Sequence, residues 1–83
     1  MPVKGYVLIE TDVGTAKAVA EKLNELKLKD SRVTDVDTVT GPFDVIAMLQ
    51  ADDLNDLGSC ITKTIQVVPG VKRTTTCLSV ILE

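Results

Sequence analysis

The sequence predicts an α+β fold with the element order β-α-β-β-α-β. Three observations support this order: two segments carry apolar residues at helical spacing, four segments are rich in β-branched residues, and a Gly-Pro turn at residues 41–42 joins two similar halves. Two strand–helix–strand halves joined in this way are typical of a ferredoxin-like sandwich, in which two helices cover one face of a four-stranded antiparallel sheet. A chain of 83 residues is expected to form a single domain spanning 1-83.

The first half of the chain predicts a strand followed by an amphipathic helix. We expect the strand over residues 3–9 and a helix that Thr11 or Asp12 caps, with Val13 and Gly14 in its first turn. The apolar residues of this helix form one stripe, which consists of Ala16, Val19, Ala20, Leu23 and Leu26. The helix is expected to end in the polar stretch at residues 27–32.

The second and third strands are predicted at residues 33–40 and 45–50, on either side of the Gly-Pro turn. Val33 and Val36 differ in parity, although both would belong to the buried face. A strand whose side chains alternate strictly cannot bury both of them, so we expect a bulge or a late strand start.

The last part of the chain predicts a helix and a long strand. Asp52 or Asp53 is expected to cap the helix, and Val68-Pro69-Gly70 is expected to end it, because the residue before proline avoids the helical region. The apolar stripe of this helix consists of Leu54, Leu57, Ile61 and Ile65. The final strand is predicted at residues 71–82.

Several strands have apolar residues at both odd and even positions, and therefore on both faces of the sheet. This predicts that both faces are covered. The residues concerned are Leu8 and Ile9, 45–49 and 80–82. Two helices cover only one face, and an exposed sheet of such residues would be prone to aggregate. We therefore expect a second copy of the chain to pack on the other face, sheet against sheet.

Composition excludes several classes of function. The net charge of −3 argues against binding of a phosphate backbone, and the absence of histidine removes the commonest general base and metal ligand. We therefore expect no enzyme, metal or cofactor. The chain has no apolar run that could span a bilayer and no signal-peptide pattern, so a cytoplasmic location is expected. The two cysteines, Cys60 and Cys77, are expected to be reduced and half-buried, although a bridge between them is conceivable.

The turn at Gly41, Pro42, Phe43 and Asp44 is the most informative stretch. Asp44 places a carboxylate at the start of an apolar strand, where it must be solvated, cap backbone N–H groups or bind something. The residues alone leave two interpretations open, a cap of the hairpin and a binding site.

Two segments together resemble a known family. The turn Val39-Thr40-Gly41-Pro42-Phe43-Asp44-Val45-Ile46 and the final strand Pro69-Gly70-Val71-Lys72-Arg73-Thr74-Thr75-Thr76, with the helix at 53–65 between them, are similar to the ligand-binding domain of Lrp/AsnC transcription regulators. This domain is called RAM, for regulation of amino-acid metabolism. The resemblance covers nearly the whole chain.

The resemblance implies an oligomeric sensor of small molecules. Relatives of this kind have a ferredoxin-like fold, dimerise into an α+β barrel, and often assemble into rings of eight or ten subunits. Their effectors, usually amino acids, bind between dimers near the Gly-x-aromatic-Asp turn. The ligand-binding residues implied here are Gly41, Pro42, Phe43, Asp44, Thr74 and Thr76. Asp44 would pair with an α-ammonium group, while backbone N–H groups and threonine hydroxyls would hold the carboxylate.

The sequence departs from the family in one respect. Regulators of this type carry an N-terminal helix-turn-helix domain, whereas the first strand predicted here starts near residue 3. We therefore expect a stand-alone RAM protein that does not bind DNA directly, with full-length Lrp/AsnC regulators left open as partners.

Three alternatives are weighed against this interpretation. An ACT domain, also an amino-acid sensor, would bind its ligand at the turn from Asp12 to Thr15. A small α+β-barrel enzyme would need a proton-transfer group in a cleft, for which no histidine is present. An oligomerisation scaffold would have the same assembly and no effector.

Overall fold

The computed structural model describes residues 2–28 and 31–80 and confirms the predicted fold. Its strands and helices are β1 (Val3–Thr11), α1 (Ala16–Glu25), β2 (Ser31–Thr38), β3 (Val45–Ala51), α2 (Leu54–Cys60) and β4 (Val71–Leu78). A π-helical segment, Ile61–Ile65, continues α2. The four strands form one antiparallel sheet in the order β2-β3-β1-β4.

The hydrophobic core lies between the helices and one face of the sheet, which we call the inner face. The two central strands bury every second residue there, so that Val7 and Ile9 of β1 lie beside Ala47 and Val45 of β3. Both helices contribute to the same cluster, and the residues that complete it are Val19, Leu23, Leu49, Ala51, Leu57, Cys60, Ile61, Ile65 and Val68. Since both helices lie on one face of the sheet, no described residue outside the sheet covers the other face.

The outer face of the sheet is apolar at its centre, as the sequence predicted. Tyr6 lies opposite Met48 and Leu8 lies opposite Ile46, and all four side chains are only half-buried. Polar pairs flank them: Arg32 donates to Gln50 Oε1 at 2.8 Å, and the Arg73 Nε lies 3.5 Å from Glu10 Oε2. A charged margin around an apolar centre is the usual anatomy of a protein interface.

The predicted irregularity in the second strand is confirmed as a bulge. Val33 pairs with Leu49 and Asp35 pairs with Met48, so Thr34 is an extra residue without a partner in the ladder. The insertion brings Val33 and Val36 to the same face, where both pack against the core. The strand itself begins and ends earlier than predicted, at Ser31 and Thr38.

The predicted start of the first helix is wrong. The first strand continues to Thr11, and α1 begins only at Ala16, so Val13 and Gly14 lie in the turn before it. Gly14 has a φ of +80°, which excludes it from a helical turn. The Thr15 hydroxyl donates to the Asp12 carbonyl at 2.7 Å. This bond closes the turn.

The C-terminal strand is shorter than predicted. It ends at Leu78, and the Ser79 N–H then donates to the Lys4 carbonyl at 2.9 Å. The predicted strand residues Ile81 and Leu82 lie outside the described part of the chain. The second helix has the predicted cap, since Asp53 Oδ1 accepts the Asp56 N–H at 2.8 Å.

Candidate functional site

The hairpin between β2 and β3 is held to the sheet by Asp44. Its backbone N–H donates to the Ile9 carbonyl and its carbonyl accepts the Val39 N–H, each at 2.9 Å. Its side-chain Oδ2 accepts the Thr11 N–H at 2.8 Å. Three strands are therefore joined at this one residue, and its carboxylate caps the end of β1 rather than the hairpin that contains it.

One oxygen of the Asp44 carboxylate is left for another partner. Oδ1 accepts no hydrogen bond from any residue that the structure describes, and the only ion pair within those residues joins Arg73 to Glu10. The side chain is half-buried, but Oδ1 stays accessible to solvent and has no countercharge among the described residues. Such an oxygen is suited to accept a charge-assisted bond from an ammonium group.

The residues before Asp44 form an accessible turn. Gly41 has a φ of +139°, a conformation that side chains rarely adopt, and it is exposed together with Pro42. Phe43 is half-buried. The turn therefore presents backbone groups and one aromatic side chain next to the free carboxylate oxygen.

Thr74 and Thr76 lie on a different strand from this turn. They pair with Ile9 and Val7 on the inner face of the sheet, so strand β1 lies between them and Asp44. Thr74 is half-buried, and its hydroxyl accepts the Gln66 Nε2–H at 3.0 Å. One copy of the chain thus assembles the part of the predicted site at 41–44, with the two threonines apart from it.

Thr76 lines an apolar groove that the sequence did not predict. The groove has a volume of about 430 Å³ and runs between β4 and the second helix; its walls are Leu54, Leu57, Gly58, Ile61, Thr62, Thr76 and Leu78. Leu54 was predicted to belong to the buried stripe, yet it is 56% exposed. The helix widens into its π-helical segment beside this groove, where the Gln66 N–H donates to the Ile61 carbonyl at 2.9 Å.

The two cysteines lie in different environments. Cys60, the last residue of α2, is buried. This burial raises the pKa of its thiol above the ordinary value, and a hydrogen bond with Ser31 opposes that effect. Cys77 is exposed on the outer face, opposite Tyr6, and not half-buried as predicted. Both thiols are free, so the conceivable bridge between them is absent.

The turn between β1 and α1, where an ACT-type ligand would lie, is closed by its own bonds. The Asp12 N–H donates to the Gly70 carbonyl at 2.8 Å, and the Thr15 N–H returns to the Asp12 carbonyl at 3.1 Å. Val13 at its tip is fully exposed. The turn lies at the same end of the sheet as the Asp44 hairpin, but the N–H groups of Asp12 and Thr15 are already used.

Nowhere in residues 2–28 and 31–80 do three or more potential metal ligands of the His, Cys, Asp and Glu types converge. None of the helices in these ranges has the length and apolar character needed to cross a membrane.

Comparison with known proteins gives a consistent family assignment. The model of the Lrp/AsnC ligand binding domain matches residues 4–81. No curated protein matches the chain.

Similar folds occur among solved structures. The crystal structure of TTHA0845 from Thermus thermophilus is 31% identical, with a TM-score of 0.84 over 98% of this chain and 96% of that one. The crystal structure of FFRP-DM1 is 29% identical, with a TM-score of 0.83 over 94% of this chain and 99% of that one.

A regulator bound to an amino acid has the same fold. The transcriptional regulator NMB0573 from Neisseria meningitidis, solved as a complex with L-Met, is 14% identical, with a TM-score of 0.80 over 95% of this chain and 50% of that one. At this identity the likeness supports the fold alone.

Proposed function

Because the chain belongs to the Lrp/AsnC ligand-binding domain family, we propose that it is a regulatory domain whose effector is a free amino acid. The observation that carries this proposal is the Asp44 carboxylate. One of its oxygens is fixed on the Thr11 N–H, while the other accepts no bond from the described residues. A fixed carboxylate beside an accessible turn is suited to select the α-ammonium group of a small ligand.

The proposed site contains Gly41, Pro42, Phe43, Asp44, Thr74 and Thr76. Since β1 separates the threonines from Asp44 within one copy, the hydroxyls can join the turn only if they come from another copy. The site therefore depends on assembly of the chain.

We propose a homodimer as the first step of that assembly, with the outer faces of two sheets in contact. The remaining exposed area of Tyr6, Leu8, Ile46 and Met48 would be buried there. Each gains less than the roughly 1.5–3 kcal/mol that full burial of an exposed apolar side chain is worth, because all four are already half-buried. Dimers of this kind would combine into rings of eight or ten subunits. Full-length Lrp/AsnC regulators are the proposed protein partners, to be tested by co-purification.

The effector is identified by a thermal-shift screen of the purified protein against the twenty amino acids. A ligand that binds only the folded state raises the apparent melting temperature. The amino acid that gives the largest shift is then titrated by calorimetry into the wild-type protein and three variants.

The decisive variant is Asp44→Asn. We expect a loss of affinity of roughly 10- to 150-fold, because a charge-assisted bond worth about 1.5–3 kcal/mol is removed. Stability should change little, since the amide oxygen can still accept the Thr11 N–H. Thr76→Val should weaken binding by a smaller factor.

The matched control is Asp52→Asn, which removes the same charge from an exposed position after β3. It should leave the affinity unchanged. Equal affinity in Asp44→Asn and in the control would contradict the assignment of Asp44. If no amino acid shifts the melting temperature while the protein is dimeric, the scaffold function is favoured instead.

A further inference from the structure

We propose that Arg73 holds the α-carboxylate of the effector, in the same copy of the chain in which Asp44 holds its α-ammonium group. This inference rests on the proposed function, because it assigns a further residue to the same ligand. It restricts the effector to a free amino acid that carries both charged groups. Amino-acid amides, which lack the carboxylate, are expected to bind less tightly.

The carboxylate of an amino acid needs a donor that one copy of the chain can supply. The hydroxyls of Thr74 and Thr76 do not meet this need, because both residues lie on the inner face and β1 separates them from Asp44. A carboxylate that leaves water must be paired or hydrogen-bonded. A ligand bound to Asp44 therefore requires a donor from another position.

The side chain of Asp44 lies on the outer face of the sheet. Its carbonyl accepts the Val39 N–H, so it continues the pairing of β3 with β2, and side chains alternate between the two faces along such a strand. Val45, the next residue, is buried on the inner face. Asp44 therefore shares the outer face with Ile46.

Arg73 lies on the same face, on the other side of β1. It pairs with Glu10, and its Nε lies 3.5 Å from Glu10 Oε2. The next residue, Thr74, lies on the inner face, so Arg73 projects to the outer face. Two other basic side chains of this face, Lys4 and Arg32, lie at the opposite end of the sheet. Arg73 is thus a cation at the end where Asp44 lies.

Asp44 and Arg73 flank the same end of β1. Asp44 bonds to the backbone of Ile9 and Thr11. Arg73 lies opposite Glu10, the residue between those two. Because neighbouring strands lie about 4.8 Å apart, the two Cα atoms are separated by about 10 Å. A long arginine side chain and a small zwitterion span this distance, with the ammonium group toward β3 and the carboxylate toward β4.

The guanidinium group of Arg73 is positioned and still has free donors. Glu10 lies beside its Nε, and its terminal N–H groups form no hydrogen bond with any residue that the structure describes. The side chain is 69% exposed, so a ligand can reach it. A planar guanidinium binds a carboxylate through two parallel N–H···O bonds, a geometry that an amide group does not offer.

A bulge in β4 lies beside both proposed contacts. Lys72 is the extra residue, between the pairs that Arg73 and Val71 form with β1. Thr11, the partner of Val71, is also the residue whose N–H binds the Asp44 carboxylate. Bulges are frequent next to active sites, where they re-aim a side chain. The irregularity in the sheet therefore lies where the two opposite charges flank β1.

The test compares ligands that have and lack the carboxylate. The twenty amino acids and their α-carboxamides are screened by thermal shift at about pH 6.5, where the α-ammonium group is charged. The amino acid with the largest shift and its amide are then titrated by calorimetry. We expect the wild-type protein to bind the amino acid at least about tenfold more tightly than the amide, because the amide lacks the charge-assisted bond to Arg73.

The variant Arg73→Gln should lose this discrimination. It should bind the amino acid about tenfold more weakly and the amide with unchanged affinity. Arg32→Gln, the matched control, makes the same substitution at the opposite end of the same face and should discriminate as the wild type does. Glu10→Gln combined with Arg73→Gln removes both charges of the ion pair. This double variant should also bind both ligands alike, which separates the loss of Arg73 from repulsion by an unpaired Glu10.

The outcomes distinguish this inference from the proposed function. Wild-type discrimination in Arg73→Gln or in the double variant, with circular dichroism showing that they are folded, would overturn the role of Arg73 and leave that of Asp44 in place. Equal binding of the amino acid and its amide by the wild-type protein would have the same meaning. If none of the twenty amino acids shifts the melting temperature, the proposed function is itself contradicted, together with this inference.

Discussion

At the scale of single residues, Asp44 combines a structural and a proposed binding role. Its backbone and one carboxylate oxygen connect it to Val39, Ile9 and Thr11, which explains its position without any ligand. The second oxygen accepts no bond from the described residues and is open to a ligand. A carboxylate that is already immobilised loses little side-chain entropy on binding, so the structural bond makes it a better ligand-binding group.

Among substitutions that add a single methyl group, we expect the replacement of Gly70 by alanine to lower the free energy of unfolding most. Its φ is +97°, and a Cβ there would lie 2.8 Å from Thr15 Oγ1. Gly70→Ala combines backbone strain with this contact and should lower the free energy of unfolding by roughly 1–3 kcal/mol.

Gly58→Ala is the matched control for this prediction. Gly58 is in α2, and a Cβ there meets nothing within 4 Å. Alanine should raise the stability by roughly 0.5–1 kcal/mol in a helix. Urea unfolding of both variants measures the difference. Equal stability of the two variants would show that the turn at Gly70 adapts freely.

At the scale of elements, α2 depends on its N-terminal cap. Asp53 Oδ1 accepts the Asp56 N–H at 2.8 Å. Asp53→Ala should therefore destabilise the protein by about 0.5–2 kcal/mol. Asp52→Ala removes the same charge from the neighbouring exposed position, which does not cap the helix. It should lower the free energy of unfolding by less. A larger loss for Asp52→Ala in thermal unfolding would contradict the assignment of the cap.

Most elements were predictable because they depend on local periodicity. The apolar stripe of α1 and the parity conflict between Val33 and Val36 were sufficient to predict that helix and the bulge. The start of α1 was not predictable from the sequence. Thr11 and Asp12 are good capping residues, but their N–H groups bond to Asp44 and Gly70 in the folded chain. Those partners are far away in sequence, so tertiary pairing overrides the local preference.

The candidate site was predictable to a similar extent. The turn at 41–44 is local and forms as predicted, but the Asp44 carboxylate caps the end of β1 instead of the hairpin. Its role in binding stays a prediction. The separation of Thr74 and Thr76 from Asp44 follows from the strand order, with β1 between β3 and β4. Strand order is a property of the whole fold, and no periodicity in β4 reveals it.

At the scale of the whole molecule, we expect the outer face of the sheet to determine whether the protein dimerises. Met48 lies near its centre, opposite Tyr6. Met48→Asp should abolish the proposed dimer, because an unpaired charge would have to be buried in an apolar contact. Sedimentation velocity at micromolar concentration measures this change.

The matched control is Asn24→Asp, which adds the same charge at an exposed position of α1. It should remain dimeric. A wild-type protein that sediments as a folded monomer at the same concentration would contradict the sheet-face dimer, whatever the variants do.

The position of Tyr6 gives the molecule a natural optical reporter. It is the only tyrosine, and the chain has no tryptophan. Excited in the tyrosine absorption band, which Phe43 does not share, its fluorescence originates from one ring at the centre of the outer face, with the Lys4 ammonium 5.5 Å from the ring centroid. Association through this face changes the surroundings of that ring. Emission intensity on serial dilution would then follow assembly without a dye or a label.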